Sequence, residues 1–161
     1  EKLTWGSWTP HKYKIAVSGC PRNCAEATIK DFGIIGGDSG WEIHVAGNGG
    51  IKVRVTDFLC KVKTDEELFE MVKAYMQFYR EDAYYLERTA HWIERVGLEY
   101  VKEVLFDEEK RKMYAASFDI SQKSAQVDPW AKAIEDGFTK EFSPIVIDPN
   151  DSHSFEAKEQ I

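Results

Sequence analysis

An α+β fold is what the 161-residue chain predicts, and three observations carry that prediction. Up to Lys63 the apolar residues come in short runs or strict alternation broken by glycines, the period of strands. From Thr64 onward they recur at three- and four-residue spacing, the period of helices. A hydroxyl followed three residues later by Glu marks the join, as a helix start requires. The expected architecture is a mixed β-sheet in the order β-α-β-β-β, followed by several α-helices packed on it. Residues 1–63 make the strand-rich part and 64–137 the helical part. Residues 138–161 make an acidic, partly disordered tail with little to bury.

The strands follow from local pattern. Tyr13–Ser18 is an apolar run ending at Gly19, and Phe32–Ile35 is another, ended by Gly36-Gly37. Trp41–Val45 alternates apolar and polar, as does Ile51–Val55, and Gly47-Asn48-Gly49-Gly50 lies between them. Gly and Asn accept positive φ at low cost, so these two segments predict a hairpin. The helices follow from caps and spacing. Thr64 caps a helix whose stripe is Leu68, Met71, Val72, Tyr75, Met76 and Tyr79. A second is expected from about Tyr84 to Val96, stopped by Gly97. A third covers Leu98–Phe106, and Asp107 caps a fourth from Glu108 to about Gln122. Asp128-Pro129 sets a cap before a proline at the first helical position, predicting a short helix to Asp136.

Composition excludes several roles. The balance of 21 basic against 28 acidic residues leaves a charge of −7, which opposes nucleic-acid binding by bulk positive charge. Apolar runs stay short of the roughly 18 residues needed to cross a bilayer. Three cysteines are too few for a disulfide framework, so a reducing, cytoplasmic setting is expected. The chain opens Glu1-Lys2-Leu3 without an initiator Met, which suggests either a processed protein or a piece of a longer one.

The chemistry concentrates in Ser18-Gly19-Cys20-Pro21-Arg22-Asn23-Cys24. Pro21 suits a first helical turn, and a helix running through Cys24 sets both sulfurs on one face near its N-terminus. There the free N–H groups and the dipole favour thiolates and would donate to the sulfurs of an anionic iron–sulfur cluster. Spacing alone leaves alternatives open. Two small core residues in a tight strand–helix turn explain it as well, because buried free Cys is common. A zinc site wants a second Cys pair, and a redox pair normally has two intervening residues rather than three.

Lys14–Cys24, with Ile29–Gly36 after it, resembles the siroheme and 4Fe-4S domain of nitrite and sulfite reductases. Gly40–Ile51, Phe58–Thr64, Tyr79–Thr89 and Asp128-Pro129-Trp130 are similar to the NAD(P)H-dependent assimilatory nitrite-reducing branch. The likeness covers about residues 10–135. That family holds a four-iron cluster by a Cys-x5-Cys pair and a later Cys-x3-Cys pair, the last Cys bridging to siroheme. The resemblance implies Cys20 as the third metal ligand and Cys24 as the fourth, shared with siroheme. Many members have Asn directly after Cys-Pro, where this chain has Arg22 and then Asn23. Both are candidate cofactor contacts, Arg22 because a guanidinium matches a siroheme carboxylate. No residue is assigned as a catalytic group.

The resemblance further implies six-electron reduction of nitrite to ammonia, with FAD and NAD(P)H on regions outside this chain. Sulfite is the alternative substrate, and a small subunit is an expected partner. Only nineteen residues precede Cys20, without the first Cys pair, so the isolated piece is expected to be inactive and to bind no cofactor. A reading from another class is a non-catalytic docking module anchored by Trp92, Trp130 and Tyr84-Tyr85. Neither nucleic acid nor membrane is expected as a partner. Cys60 is expected in the core. Lys12, Lys14 and Lys30 are expected as surface charges, and the four histidines lack a metal spacing.

Overall fold

The structure is a computed structural model that describes residues 2–135 and Gly137, with the side chains of Pro129 and Lys132 excepted. The expected tail, 138–161, lies outside the described residues. The chain divides into two compact units, Glu1–Gln126 and Val127–Ile161.

The first unit is built on four strands: β1 (Ile15–Ser18), β2 (Phe32–Gly37), β3 (Gly40–Val45) and a later strand, Asp57–Val62. A two-stranded ribbon interrupts them, β4 (Asn48–Gly49) with β5 (Val53–Arg54), which makes Asp57–Val62 β6. The sheet order is β1-β2-β3-β6, β1 running parallel to β2 and the other pairs antiparallel. A bulge sits between Ile43 and His44 on the β3–β6 ladder. The α+β class and mixed sheet agree with the sequence.

Four helices complete the unit: α1 (Asp65–Asp82), α2 (Thr89–Val96), α3 (Leu98–Phe106) and α4 (Glu108–Ala125). The α1 stripe read from the sequence lies buried, Leu68, Met71, Val72 and Tyr75 packing on Phe32, Ile34, Ile43 and Val45 of the sheet. The Thr64–Glu67 capping box forms in full, and Asp107 accepts from the Glu109 and Lys110 amides. Trp92 is fully buried between α1 and α2, with ring centroids 5.8, 5.2 and 5.4 Å from Tyr75, Phe78 and Tyr79. In the second unit, α5 (Pro129–Glu135) starts at the expected cap, the Trp130 amide donating to Asp128 Oδ1 at 2.9 Å.

Three expectations are corrected. The helix expected from Pro21 through Cys24 does not form. The segment makes two turns, with Asn23 at φ 53° and Glu26 at φ 55°, and only a 3-10 turn at Ala27–Ile29 follows. The Asn23 carboxamide takes the Ala27 amide hydrogen itself, the competition with helix that short amides offer. The hairpin of Trp41–Val45 with Ile51–Val55 is replaced by pairing of β3 with β6. Ile51, Val53 and Val55 are exposed, so their alternation has no face to bury. The chain reverses at Ala46, φ 64°, rather than at the glycines. Gly47 is needed for close approach instead, since a Cβ there would sit 2.5 Å from the Lys30 carbonyl oxygen. Finally, α2 starts at Thr89 rather than near Tyr84, because Leu86 takes φ 64° and its amide bonds to the Pro10 carbonyl.

Candidate functional site

Leaving the carboxyl end of β1, the chain forms a loop from Gly19 to Thr28 that carries every chemistry-bearing residue of the motif. The Asn23 amide donates to the Cys20 carbonyl at 3.1 Å and the Glu26 amide to the Asn23 carbonyl at 2.9 Å, two consecutive turns. Cys20 and Cys24 are both exposed and unpaired as disulfides. Arg22 is exposed and makes no ion pair or hydrogen bond among the described residues. The structure therefore brings Cys20, Arg22 and Cys24 to one outward loop and turns Asn23 the other way. Asn23 Oδ1 accepts from Ser18 Oγ at 3.0 Å and from the Ala27 amide at 2.7 Å, and its Nδ2 donates to Thr28 Oγ1 at 2.9 Å.

Both ends of the loop rest on glycines of β2. A Cβ on Gly33 would lie 2.1 Å from the Ala27 carbonyl oxygen, and one on Gly36 would lie 2.8 Å from the Gly19 carbonyl oxygen. These seats were read from the sequence only as a strand and its end. The glycine spacing inside an apolar strand is the signal that marks such close backbone approach.

Beside the loop lies a buried carboxylate that local pattern does not reveal. Asp31 is fully buried, and its oxygens accept from Arg88 Nε (3.1 Å) and Nη2 (2.7 Å), from Thr89 Oγ1 (2.6 Å) and from the Lys14 amide (2.9 Å). It ties the entry of β1, the start of β2 and the start of α2 together. Burial first, then the Asp31 charge, raises the Tyr75 phenol well above its ordinary range. For Tyr13 burial again leads, followed by Tyr75 and Asp31.

The remaining candidates stand apart. Cys60 is partly buried on β6 and packs against the core, and burial pushes its thiol up to about 11, with Arg111 opposing. Lys30 pairs with Glu26 at 3.1 Å, and Lys12 and Lys14 are exposed. His44 sits edge-on to Phe58, its Nε2 buried with no hydrogen-bond partner among the described residues and 3.8 Å from Glu42. Among the described residues, no three His, Cys, Asp or Glu side chains gather as a metal site, and no helix is long and apolar enough to cross a membrane. The donor set fits part of an iron–sulfur site: two accessible thiols, free of disulfides, on a braced loop.

The fold and the loop together define an α+β domain that carries two exposed, unpaired thiols at the end of a mixed sheet. Residues 1–113 match the nitrite and sulphite reductase 4Fe-4S domain, and the chain belongs to that family. It is similar to the nitrite reductase [NAD(P)H] of Bacillus subtilis, 54% identical over 136 residues, which are 84% of this chain and 17% of that protein. It is also similar to the nitrite reductase (NADH) large subunit of Escherichia coli, 45% identical over 105 residues, 64% of this chain and 12% of that one. An assimilatory-type sulfite reductase of Nitratidesulfovibrio vulgaris is 31% identical over 96 residues, 60% of this chain and 44% of that protein. The chain thus spans under a fifth of the length of the nitrite reductases it matches.

Proposed function

We propose that this chain is the second half of the siroheme and 4Fe-4S domain of a longer NAD(P)H-dependent assimilatory nitrite reductase. The observation that carries this reading is the exposed, reduced Cys20–Cys24 pair, set in a chain 54% identical to such an enzyme. Cys20 and Cys24 would each hold the cluster through a thiolate, and Cys24 would also serve the siroheme. Arg22, exposed and without an ion pair or hydrogen bond among the described residues, would take a siroheme carboxylate in a charge-assisted fork. When bound, the two groups supply the six-electron reduction of nitrite to ammonia, with electrons reaching them from NAD(P)H through FAD on other regions of the longer protein. The NAD(P)H- or NADH-dependent nitrite reductases, such as those of Bacillus subtilis and Escherichia coli, match at higher identity than the sulfite reductase, which favours nitrite over sulfite. Three free cysteines among the described residues suit a reducing, cytoplasmic setting.

A four-iron cluster takes four thiolates, and the pair here supplies two. The missing thiolates then come from the same longer polypeptide, and the isolated chain holds neither group. The test is Cys24→Ser in the complete enzyme. Loss of nitrite turnover together with loss of the siroheme-coupled absorption is expected, and full turnover overturns the assignment. The isolated chain, reconstituted anaerobically with iron, sulfide and siroheme, is expected to stay colourless. Stoichiometric iron with a siroheme band would show a complete site and overturn the half-site reading.

A further inference from the structure

We infer that Asn23 is a positioning residue, which sets the two thiols of the loop from behind rather than touching the bound group itself. The inference rests on the proposed ligation by Cys20 and Cys24 and deepens it. Three observations carry it.

The backbone comes first. Asn23 and Glu26 both take positive φ, 53° and 55°, and they bracket Cys24. Such residues are uncommon outside glycine and persist only where the surroundings hold them. Asn is among the few side chains that adopt this conformation readily, so the residue type suits the place. The side chain comes second. Its carboxamide makes three hydrogen bonds, all inward: from Ser18 Oγ, from the Ala27 amide and to Thr28 Oγ1. Ser18 is itself buried, and its Oγ accepts from the Ala25 amide at 3.3 Å. The residues on both sides of Cys24 are thus tied to one buried hydroxyl. Third, the loop's far end is seated by Ala27 over Gly33, so the network closes onto β2 and not onto solvent. A side chain committed in this way braces its neighbours, and such outer partners commonly change metal affinity by about 10–100-fold when removed.

The three bonds and the left-handed backbone can be separated by substitution. Asn23→Gly keeps the conformation and loses the side chain. Asn23→Ala loses both. Asn23→Asp keeps the conformation and the acceptors for Ser18 and Ala27, and Thr28 can turn its hydroxyl to donate to the new carboxylate. The experiment uses the complete enzyme, reconstituted with limiting iron and sulfide. It reads iron and acid-labile sulfide content, and the line shape of the reduced cluster by electron paramagnetic resonance. Asn23→Ala is expected to lower cluster content about tenfold and broaden the line. Asn23→Gly is expected to fall between, and Asn23→Asp to match the parent in both.

Parent-like content and line shape in Asn23→Ala overturn the positioning role. A defect in Asn23→Asp as deep as in Asn23→Ala also overturns it, in favour of direct contact by the carboxamide. Should Asn23→Ala fail to accumulate as folded protein, Thr28→Val removes one of the three bonds away from the thiols. It is expected to broaden the line, and an unchanged line overturns the inference. Cys24→Ser is run alongside. A fully loaded Cys24→Ser enzyme overturns the ligation reading and the inference with it. A depleted Cys24→Ser enzyme beside a normal Asn23→Ala enzyme overturns the inference alone.

Discussion

In the Gly19–Thr28 loop the reactive groups face outward and the bracing faces in, whereas at Asp31, a few residues on, the charged group itself is sealed inside. Cys20 and Cys24 are exposed and make no disulfide. Asp31 is fully buried and receives four hydrogen bonds from Arg88, Thr89 and Lys14. One region conserves its valences for partners outside it, and the other spends them on joining β1, β2 and α2. With the ligation proposed for Cys20 and Cys24, the loop must leave its thiolates unsatisfied until metal arrives, so its order has to come from elsewhere. The Asn23 network supplies that order from within the loop, and the Asp31 clamp fixes the two strands on which the loop stands.

The contrast extends to the cysteines, where the largest effect is expected. Cys60 packs against the core, and burial raises its thiol from 9.0 to about 11. At pH 8 that leaves about one part in a thousand as the reactive thiolate. An aromatic disulfide reagent is expected to consume Cys20 and Cys24 first and Cys60 at least about a hundredfold more slowly, until urea unfolds the chain. Three thiols reacting together would break the distinction. The same shift has a sign for stability. The folded state holds the Cys60 proton longer than the unfolded state, so this contribution is complete below pH 9 and lost as pH rises through about 11. Cys60→Ala should flatten that alkaline fall in a urea titration series.

The buried clamp comes next. Arg88→Met leaves the Asp31 carboxylate sealed in with only the Thr89 hydroxyl and the Lys14 amide. Breaking one side of a buried pair costs about 3–5 kcal/mol, which urea denaturation reads directly. Asp31→Asn combined with Arg88→Met removes both charges and is expected to recover most of that loss. Cys20→Ala, on the exposed side of the contrast, should move stability by less than about 0.5 kcal/mol. Equal losses in Arg88→Met and Cys20→Ala would erase the difference between the two regions.

What the sequence disclosed follows the same divide between local and distant causes. The Thr64–Glu67 capping box, the α1 stripe and the Gly97 stop were legible because each is decided within a turn or two of helix. The alternation of Ile51–Val55 misled because alternation shows two faces but not whether either has anything to cover, and these residues stay exposed. The strand that does pair, Asp57–Val62, reads in sequence only as an apolar run around Cys60. Pro21 pointed to a helix, and the Cys spacing agreed. The Asn23 carboxamide overruled both by taking the Ala27 amide. The thiols were legible as residue types, but their bracing was not. The Asp31–Arg88 pair is 57 residues apart in sequence, and no local pattern links the two ends.

Gly33→Ala tests whether the two regions are mechanically joined. Gly33 lies on β2, two residues from Asp31, and a Cβ there would meet the Ala27 carbonyl oxygen at 2.1 Å, the carbon at 2.8 Å and the Ala27 Cβ at 3.2 Å. Two of the three are backbone atoms, so no flexible side chain can swing away to make room. Either β2 shifts, straining the Asp31 clamp, or the end of the loop lifts, carrying Ala27 off Asn23 Oδ1. Overpacking of this kind costs about 1–3 kcal/mol. If the loop yields, the loss in urea should fall at the low end of that range, while Cys24 alkylation changes rate and cluster loading drops in the complete enzyme. If the sheet yields, stability should fall further with the thiols unchanged. The clamp holds the start of β2 by four hydrogen bonds to a fully buried, charged group, whereas Ala27 is held by its amide to Asn23 and by the longer bond of its carbonyl with the Lys30 amide (3.3 Å), so the loop is the side expected to move.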